Sequence, residues 1–402
     1  MDASSFSAPK FRRSSKVSRP PLKLLYHHRT RAVGAEGKHI RGIVEGFEQR
    51  GWKVTVLSPP GVGLATSAAA GPTARPSRIW DLITDRIPDI TFEALEILYN
   101  FNLLWNLRGE LNRSRPLAIY ERYAVFTWAT TWMARYRKLP IVLEINYTTT
   151  VGRARPLQAR RLAVWIERWV FRNATHLVTI TEDFKQRIIS QHDIAPERID
   201  VLPNAVDRSL VLNDVGQAEP RTRFTFGMVG AFLPWHGLEF AVKTLAAFLK
   251  DKNCKLLLVG DGPERTRLEQ WIDELQLHGF VELTGFVPAT RVPHYLNHID
   301  VALIPDSAEH ASPIKLFEYM AAGKAVIAPA RASIQQIITH EFDGLIFETL
   351  NPRAFLAAVE RIYRDAELRK RLGSNARQTV LSKHLWEHRV QEIEGWFLDS
   401  KS

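Results

Sequence analysis

Cysteine is almost absent from this sequence of 402 residues, because Cys254 is the single one. A lone cysteine excludes a disulfide framework and a metal site built from several thiolates, and it is compatible with a reducing cytosol. Long apolar runs are missing as well, since no stretch approaches the length of about 20 residues that spans a bilayer. The sequence therefore predicts neither a disulfide-stabilised domain nor a transmembrane helix.

The first 20 residues lack the apolar core of a secretory signal and are rich in Ser and Arg, so we expect a disordered basic tail, with a targeting segment as the alternative. Positive charge is concentrated in the first half. Residues 1–215 contain 32 Lys and Arg against 20 Asp and Glu, whereas the whole chain contains 54 against 43. This excess suggests a polyanionic partner, either nucleic acid or an anionic membrane surface, and the alternative is a solvated basic surface. Nucleic acid is disfavoured, because no recognition helix or stacking motif accompanies the charge.

Short apolar strands alternate with amphipathic helices along most of the chain, a pattern typical of parallel α/β sheets. A chain of this length exceeds the usual size of one hydrophobic core, so two domains are expected. We place the first domain at residues 21–207 and the second at residues 224–385. Residues 208–223 are predicted to be the linker, and residues 386–402 a terminal helical segment.

Residues 305–328 are the most informative stretch, because a polar loop there leads into a short helix that carries Lys315 and Glu318. Open α/β sheets bind ligands at loops of this kind. The helix amino terminus presents free N–H groups to an anion, and Lys315 adds a positive charge. Ser312 is predicted to cap the helix and to contact phosphate. Glu318 is placed to accept hydrogen bonds from a sugar diol, so a diphosphate joined to ribose fits this segment.

This stretch resembles the nucleotide-sugar signature of family 4 glycosyltransferases, and four other segments agree with that family in order and spacing. They are VLPNAVD (201–207), FGMVGAFLPWHGLEF (226–240), LLLVGDGPERTRLE (256–269) and VELTGFVPATRVPHYL (281–296). The resemblance covers about residues 22–385. It implies an α/β protein of the GT-B fold, in which two Rossmann-like domains with parallel sheets face each other across a cleft. It also implies that the terminal helix crosses back to the first domain.

The resemblance assigns the nucleotide sugar to the second domain. Glycines at the strand ends there let the backbone approach a diphosphate closely; they are Gly230, Gly237, Gly260 and Gly262. Two cations that the family usually places in the first glycine loop are missing, since Ala231 or Phe232 and His236 stand there. His236 either contacts phosphate or packs against Trp235. Val287 lies where relatives hold the base through main-chain atoms.

The family pattern of Glu, seven residues and Glu places His310 where the first acid stands, with Glu309 one residue away. In relatives that acid contacts the donor sugar, so either side chain is a candidate for this role. In the first domain, the segment GAEGKHI (34–40) is predicted to be the counterpart glycine loop, before a helix that runs from Ile40 to Arg50. Gly37 in this loop is predicted to donate its N–H to the departing phosphate. Lys38 and His39 beside it are either cleft residues or polar groups of the first helical turn.

Two apolar strands of the first domain end in polar side chains, Arg122 in IYERY and Glu144 with Asn146 in LEIN. Side chains at the carboxyl edge of a sheet commonly contact substrate, so we expect them to bind acceptor and donor sugar. The alternative is an internal ion pair between Arg122 and Glu144.

Together these features predict a glycosyltransferase that moves a sugar from a nucleoside-diphosphate sugar to an acceptor hydroxyl. The resemblance implies that the anomeric configuration is retained, that the acceptor is a glycan or is lipid-linked, and that the pathway is one of bacterial polysaccharide or glycoconjugate synthesis. The alternatives are a non-catalytic nucleotide-sugar binder and a GT-B epimerase. No metal or other cofactor is expected, because the acids are scattered and the histidines lack paired spacing. We expect a cytoplasmic location, with peripheral contact at the inner face of the cell membrane.

Overall fold

Two parallel six-stranded sheets form the two halves of the protein in the computed structural model. The structure describes residues 21–32, 34–59, 62, 87–150, 155–212, 223–309 and 311–399. The strands of the first sheet are β1 (Lys23–His27), β2 (Lys53–Leu57), β3 (Ala118–Arg122), β4 (Ile141–Ile145), β5 (His176–Thr179) and β6 (Ile199–Val201). The strands of the second are β7 (Thr225–Val229), β8 (Lys255–Val259), β9 (Val281–Leu283), β10 (Val301–Leu303), β11 (Ala325–Pro329) and β12 (Leu345–Phe347). Their orders are β2-β1-β3-β4-β5-β6 and β12-β11-β10-β7-β8-β9. The predicted α/β class is confirmed.

Helices connect the strands, as parallel pairing requires. The first half contains α1 (Gly34–Gln49), α2 (Asp89–Ser114), α3 (Ala129–Arg137), α4 (Arg160–Asn173), α5 (Glu182–His192) and α6 (Arg208–Leu212). The second contains α7 (Leu238–Asp251), α8 (Arg265–Glu274), α9 (Val292–Asn297), α10 (Ile314–Ala321), α11 (Ala332–Gln335), α12 (Pro352–Arg364), α13 (Ala366–Lys383) and α14 (Trp386–Asp399). Among these described helices, none has the length and hydropathy needed to cross a membrane.

Both faces of each sheet are buried, which explains why the strands read as nearly continuous apolar runs. In β4, Ile141, Leu143 and Ile145 enter the core on one face, under helices α2 to α5. Val142 points into the opposite core, which α1 and α14 cover. The helices on both faces leave the carboxyl edges of the strands free, and the candidate site residues lie at these edges.

The segment GAEGKHI differs from its predicted form, because α1 already begins at Gly34 instead of near Ile40. Gly37 is therefore the fourth residue of a helix and not part of a glycine loop that precedes one. Only glycine fits at this position, because a Cβ atom there would lie 2.1 Å from the carbonyl oxygen of Ala32. The described part of the linker includes α6, and residues 213–222 of it lie outside the described residues.

The chain crosses between the halves twice, and the two crossings are hydrogen-bonded to each other. The N–H of Val206 donates to the carbonyl of His384 at 3.0 Å, and the N–H of Trp386 donates to the carbonyl of Val206 at 3.2 Å. Helix α14 then packs on α1 of the first half, where the Trp386 ring lies over Gly42. A small residue in α1 is needed at this crossing, because a Cβ on Gly42 would lie 2.2 Å from the indole.

We predict that Gly42→Ala destabilises the protein. Alanine gains about 1 kcal/mol over glycine in a helix interior, but the added methyl overlaps the buried Trp386 ring, and overpacking costs about 1–3 kcal/mol. The matched control is Gly109→Ala in α2, where a Cβ would meet nothing within 4 Å. Thermal unfolding should show a lower midpoint for Gly42→Ala and an equal or higher one for Gly109→Ala. A midpoint for Gly42→Ala at or above that of the wild type would contradict this packing.

Candidate active site between the two sheets

Glycines bring two loops of the second sheet into direct contact at its carboxyl edge. Gly230 follows β7 and Gly260 follows β8, with φ angles of 147° and 143°. A Cβ atom on Gly260 would lie 2.0 Å from the carbonyl oxygen of Gly230, so a larger residue does not fit there. Gly237 approaches the next loop in the same way, with Asp306 2.8 Å from the position of a Cβ. Gly262 packs against the backbone of Phe232. These contacts leave a backbone-lined surface beside Gly230.

Lys315 points at this surface from the first turn of α10. The ammonium is buried, and it has no hydrogen-bond partner among the residues that the structure describes. It lies 3.8 Å from the position that a Cβ on Gly230 would take. Burial lowers the pKa of Lys315 to about 7, and the nearby Glu318 opposes this shift. A buried cation without a partner is costly to a folded protein, so this arrangement is suited to binding an anion.

Glu318, three residues after Lys315 on α10, is also buried and faces the first half of the protein. Its carboxylate accepts a hydrogen bond from the ammonium of Lys38 in α1. Lys38 is therefore a residue of the cleft, which settles one of the two alternatives that the sequence left open for it. The ion pair connects the two halves at the carboxylate that we expect to bind ribose, and that binding role stays a prediction.

Glu144 is hydrogen-bonded to the polar side chains around it at the carboxyl edge of the first sheet. It accepts hydrogen bonds from His39 Nε2 at 2.6 Å, Arg122 at 2.6 Å and Tyr120 OH at 2.7 Å. Asn146 donates to it as well. Burial alone would raise the pKa of Glu144, but the charges of His39 and Arg122, together with the hydrogen bonds, lower it to about 2. The internal ion pair between Arg122 and Glu144 is thus present, and substrate contact by these residues stays a prediction.

His39 extends this network to the second half through Asn204. The amide nitrogen of Asn204 donates to the carbonyl of Ser312 at 2.5 Å, so its Oδ1 atom faces His39 Nδ1 at 2.7 Å. Both ring nitrogens of His39 therefore contact oxygen atoms, those of Glu144 and Asn204. Asn204 was not among the predicted site residues. Its position in VLPNAVD, directly after a buried strand and before the crossing, was the signal available in the sequence.

Ser312 does not cap α10, so this part of the prediction was wrong. The N-cap residue is Pro313, and no side chain there accepts a hydrogen bond from the helix. Ser312 is buried, and its hydroxyl instead accepts a hydrogen bond from the N–H of Asn204 at 3.0 Å. The serine thus joins the two halves of the protein at the start of α10.

His236 lies beside Lys315 but is not a second cation. Its Nδ1–H donates to the carbonyl of Ala231 at 2.6 Å. Burial and the charge of Lys315 lower the pKa of His236 to about 4, so the ring is neutral near pH 7. Its Nε2 atom then carries a lone pair and accepts hydrogen bonds. Trp235 is half exposed and makes an edge contact with the ring, at a centroid distance of 6.1 Å.

Glu309 is held away from the cleft residues described above. Its carboxylate accepts a hydrogen bond from Arg331 at 3.1 Å and is largely exposed. The same guanidinium makes two bonds to Asp306, at 3.0 and 3.1 Å. His310 lies outside the described residues, so the choice between His310 and Glu309 stays open.

Val287 is half-buried and packs against the core under α10. In the described part of the chain, no group of three acids, histidines or cysteines has a geometry suited to a metal ion.

Comparison with known families gives two matches that together span most of the chain. Residues 34–205 match the model of a glycosyl transferase 4-like domain. Residues 213–379 match that of the glycosyl transferases group 1. A curated relative, the lipopolysaccharide core biosynthesis glycosyltransferase LpsD of Rhizobium meliloti, is 26% identical over 90% of this chain and 94% of its own length.

Solved structures share the whole fold. A glycosyltransferase from Rickettsia africae superposes with a TM-score of 0.73 at 14% identity, covering 96% of this chain and 100% of that one. Anabaena HepE, solved in complex with UDP, has a TM-score of 0.66 at 15% identity and covers 93% of this chain and 99% of its own. Two parallel sheets with this likeness confirm the GT-B prediction.

We predict that Lys315→Met makes the protein without ligand more stable at pH 7, by roughly 3–5 kcal/mol. Burial lowers the pKa of Lys315 from its ordinary 10.5 to about 7. Between these values the unfolded chain binds more protons than the folded one, so the stability of the wild type rises with pH. The advantage of Lys315→Met should therefore be largest below pH 7 and shrink toward pH 10.

Urea unfolding at a series of pH values measures this difference. The control is Lys250→Met, which removes an exposed lysine at the end of α7 and should change stability little at any pH. A Lys315→Met protein that is less stable than the wild type at pH 7 would mean that the ammonium has a stabilising partner without ligand.

Proposed function

The chain belongs to the glycosyltransferases that join a glycosyl transferase 4-like domain to a group 1 domain, and we propose that it transfers a sugar from a nucleoside-diphosphate sugar to an acceptor hydroxyl with retention of anomeric configuration. The single observation that carries the donor assignment is that the buried ammonium of Lys315, beside the backbone of Gly230, has no hydrogen-bond partner in the described part of the chain. A diphosphate is the anion that this position fits, because it brings charge within reach of the ammonium and of the first N–H groups of α10.

Glu318 supports the assignment of the ribose. It lies three residues after Lys315, on the same face of the helix, so a nucleotide whose phosphate meets Lys315 brings its ribose hydroxyls toward this carboxylate. Its carboxylate already accepts a hydrogen bond from Lys38. In the proposed complex the ribose diol shares or replaces that hydrogen bond, and Lys38 becomes free to approach the phosphates. The base lies near Val287, where main-chain atoms contact it.

The chemistry we propose uses no protein nucleophile. The bond between the anomeric carbon and the phosphate oxygen breaks, the acceptor oxygen bonds to the same face of that carbon, and the departing diphosphate takes the acceptor proton. The protein supplies alignment and positive charge for the leaving group. Lys315 supplies this charge from the second half, and Lys38 supplies it from the first.

The acceptor side of the proposal uses the network around Glu144. Arg122 and Asn146 reach the cleft at the ends of β3 and β4, and their shared carboxylate fixes their orientation. We assign contacts with the acceptor or the donor sugar to these residues. His310 or Glu309 completes the donor-sugar side in this proposal.

We further propose that the reaction needs no metal, because Lys315 and the amino end of α10 supply the charge that a divalent cation would otherwise bring to a diphosphate. The acceptor we propose is a glycan or a lipid-linked glycan. Its synthesis places the enzyme in the cytoplasm at the inner face of the cell membrane.

The experiment that tests the donor assignment is a thermal-shift series with UDP, GDP, ADP and dTDP, followed by detection of nucleoside diphosphate released from the matching sugar conjugates. One base should raise the melting temperature with increasing concentration, as mass action requires. Failure of all four to shift the wild type, together with no release from any conjugate, would contradict the proposal.

For Glu318, we predict that Glu318→Ala weakens binding of the preferred diphosphate by about 1.5–3 kcal/mol, the size of a hydrogen bond to a charged group. The 2′,3′-dideoxy form of this diphosphate should bind the wild type more weakly than the unmodified diphosphate does, by a similar free energy. On the variant, removing the two hydroxyls should weaken binding only slightly further. The control Glu367→Ala, on the far helix α13, should behave like the wild type. Equal losses from the dideoxy form on both proteins would remove Glu318 from the ribose role.

A further inference from the structure

Three neighbouring helices of the first half turn aromatic side chains toward solvent. On α2, outward residues follow helical spacing from Ile90 through Leu98 and Phe101 to Trp105, and Trp105 is 82% exposed. This stripe is about 22 Å long, at 1.5 Å per residue. The inward face of the same helix fills the core under the sheet with Leu103, Leu107 and Leu111. Helix α2 is thus apolar on both sides, which a helix packed only on its own domain does not require.

The next two helices continue this surface. Helix α3 presents Trp132 and Tyr136, whose rings are stacked at 5.6 Å with an interplanar angle of 1°. It lies beside α2, since the ring of Phe101 makes an edge contact with Trp128 at 6.2 Å. Helix α4 lies on the other side of α3 and exposes Trp165. We define the aromatic face by six exposed residues of these helices: Leu98, Phe101, Trp105, Trp132, Tyr136 and Trp165.

Charge around the aromatic face is of one sign. Exposed basic residues stand on all three helices or directly at their ends: Arg108, Arg135, Lys138, Arg160 and Arg161. The carboxylates of these helices are buried or paired with a neighbour; they are Asp89, Glu93, Glu96, Glu110 and Glu167. The described part of this surface therefore combines exposed aromatic rings with uncompensated positive charge.

We propose that the aromatic face docks the protein on an anionic lipid bilayer. Tryptophan and tyrosine side chains favour the boundary between headgroups and acyl chains, and each Lys or Arg near an anionic membrane adds about 1 kcal/mol of attraction. A partner protein would need an acidic surface to complement this positive charge. A bilayer with anionic lipids supplies both the negative charge and an apolar region for the aromatic rings. The proposal assigns a surface to the membrane contact that we propose for the enzyme.

The orientation also suits an acceptor held in the membrane. Because α3 and α4 follow parallel strands, they begin at the carboxyl edge of the sheet, the edge where Arg122 and Glu144 lie. A bilayer on the aromatic face therefore lies next to the acceptor side of the cleft.

Sedimentation with lipid vesicles, using the full chain without nucleotide, tests this surface. Vesicles of equal parts phosphatidylglycerol and phosphatidylcholine should bind the wild type about tenfold or more better than phosphatidylcholine alone. The double variant Phe101→Ser, Trp105→Ser should bind these anionic vesicles about tenfold or more weakly than the wild type. Its matched control is Phe342→Ser, which removes an exposed aromatic residue in the second half and should bind as the wild type does.

The contribution of charge is tested separately with the double variant Arg108→Glu, Arg135→Glu. It should also bind the anionic vesicles about tenfold or more weakly than the wild type. The control double variant Lys250→Glu, Lys370→Glu replaces two exposed lysines of the second half and changes the net charge equally. Its affinity for the anionic vesicles should fall much less. Melting temperatures like that of the wild type show that the variants are folded.

Three results would overturn the proposal. They are a wild type that stays unbound to anionic vesicles, an aromatic variant that binds as well as the wild type, and a wild-type dimer that this variant converts to monomer in sedimentation velocity. Because the assay contains no nucleotide sugar, its failure is distinct from a failure of the proposed transferase activity.

Discussion

The candidate site depends on one constraint, the buried ammonium of Lys315, for which the described residues provide no hydrogen-bond partner. Helix α10 starts beside the glycine-lined edge of the second sheet and carries this group inward, where burial disfavours its charge. The neighbouring features follow from the need to bring an anion there. Gly230 and Gly260 keep the backbone surface open, and the neutral ring of His236 adds an acceptor without a second repelling charge. The folded state gives up stability here for a ligand that restores it.

The same helix also joins the two halves of the protein. Glu318 binds Lys38, and Ser312 binds Asn204, which in turn meets His39 and so Glu144. Donor-side and acceptor-side residues are thus connected through side chains, and not only through the paired crossings near Val206 and Leu385. A ligand that engages Glu318 changes a contact between the halves. Substrate binding and the relative position of the two halves are therefore coupled in this account.

Periodicity and motif order were sufficient to predict two parallel sheets, the helix carrying Lys315 and Glu318, and the strand ends at Arg122 and Glu144. Local features that depend on partners distant in sequence were not predictable. The early start of α1 depends on contact between Gly37 and Ala32, and Ser312 bonds Asn204, 108 positions away, instead of capping its helix. The contact of His39 with Asn204, 165 positions away, was likewise not predictable, and Asn204 is itself bonded to Ser312 of the second half. The exposed aromatic residues of α2 to α4 were visible as apolar positions, but only packing shows which of them face solvent.

The most direct test of the central claim is the number of protons taken up when the preferred nucleoside diphosphate binds at pH 8. This number comes from calorimetric titrations in two buffers with different ionisation enthalpies. Lys315, with a pKa of about 7, is mostly neutral at this pH without ligand, and a diphosphate beside it restores the charge. The account predicts uptake of about one proton by the wild type and none by Lys315→Met. Tight binding by the wild type without proton uptake would contradict it.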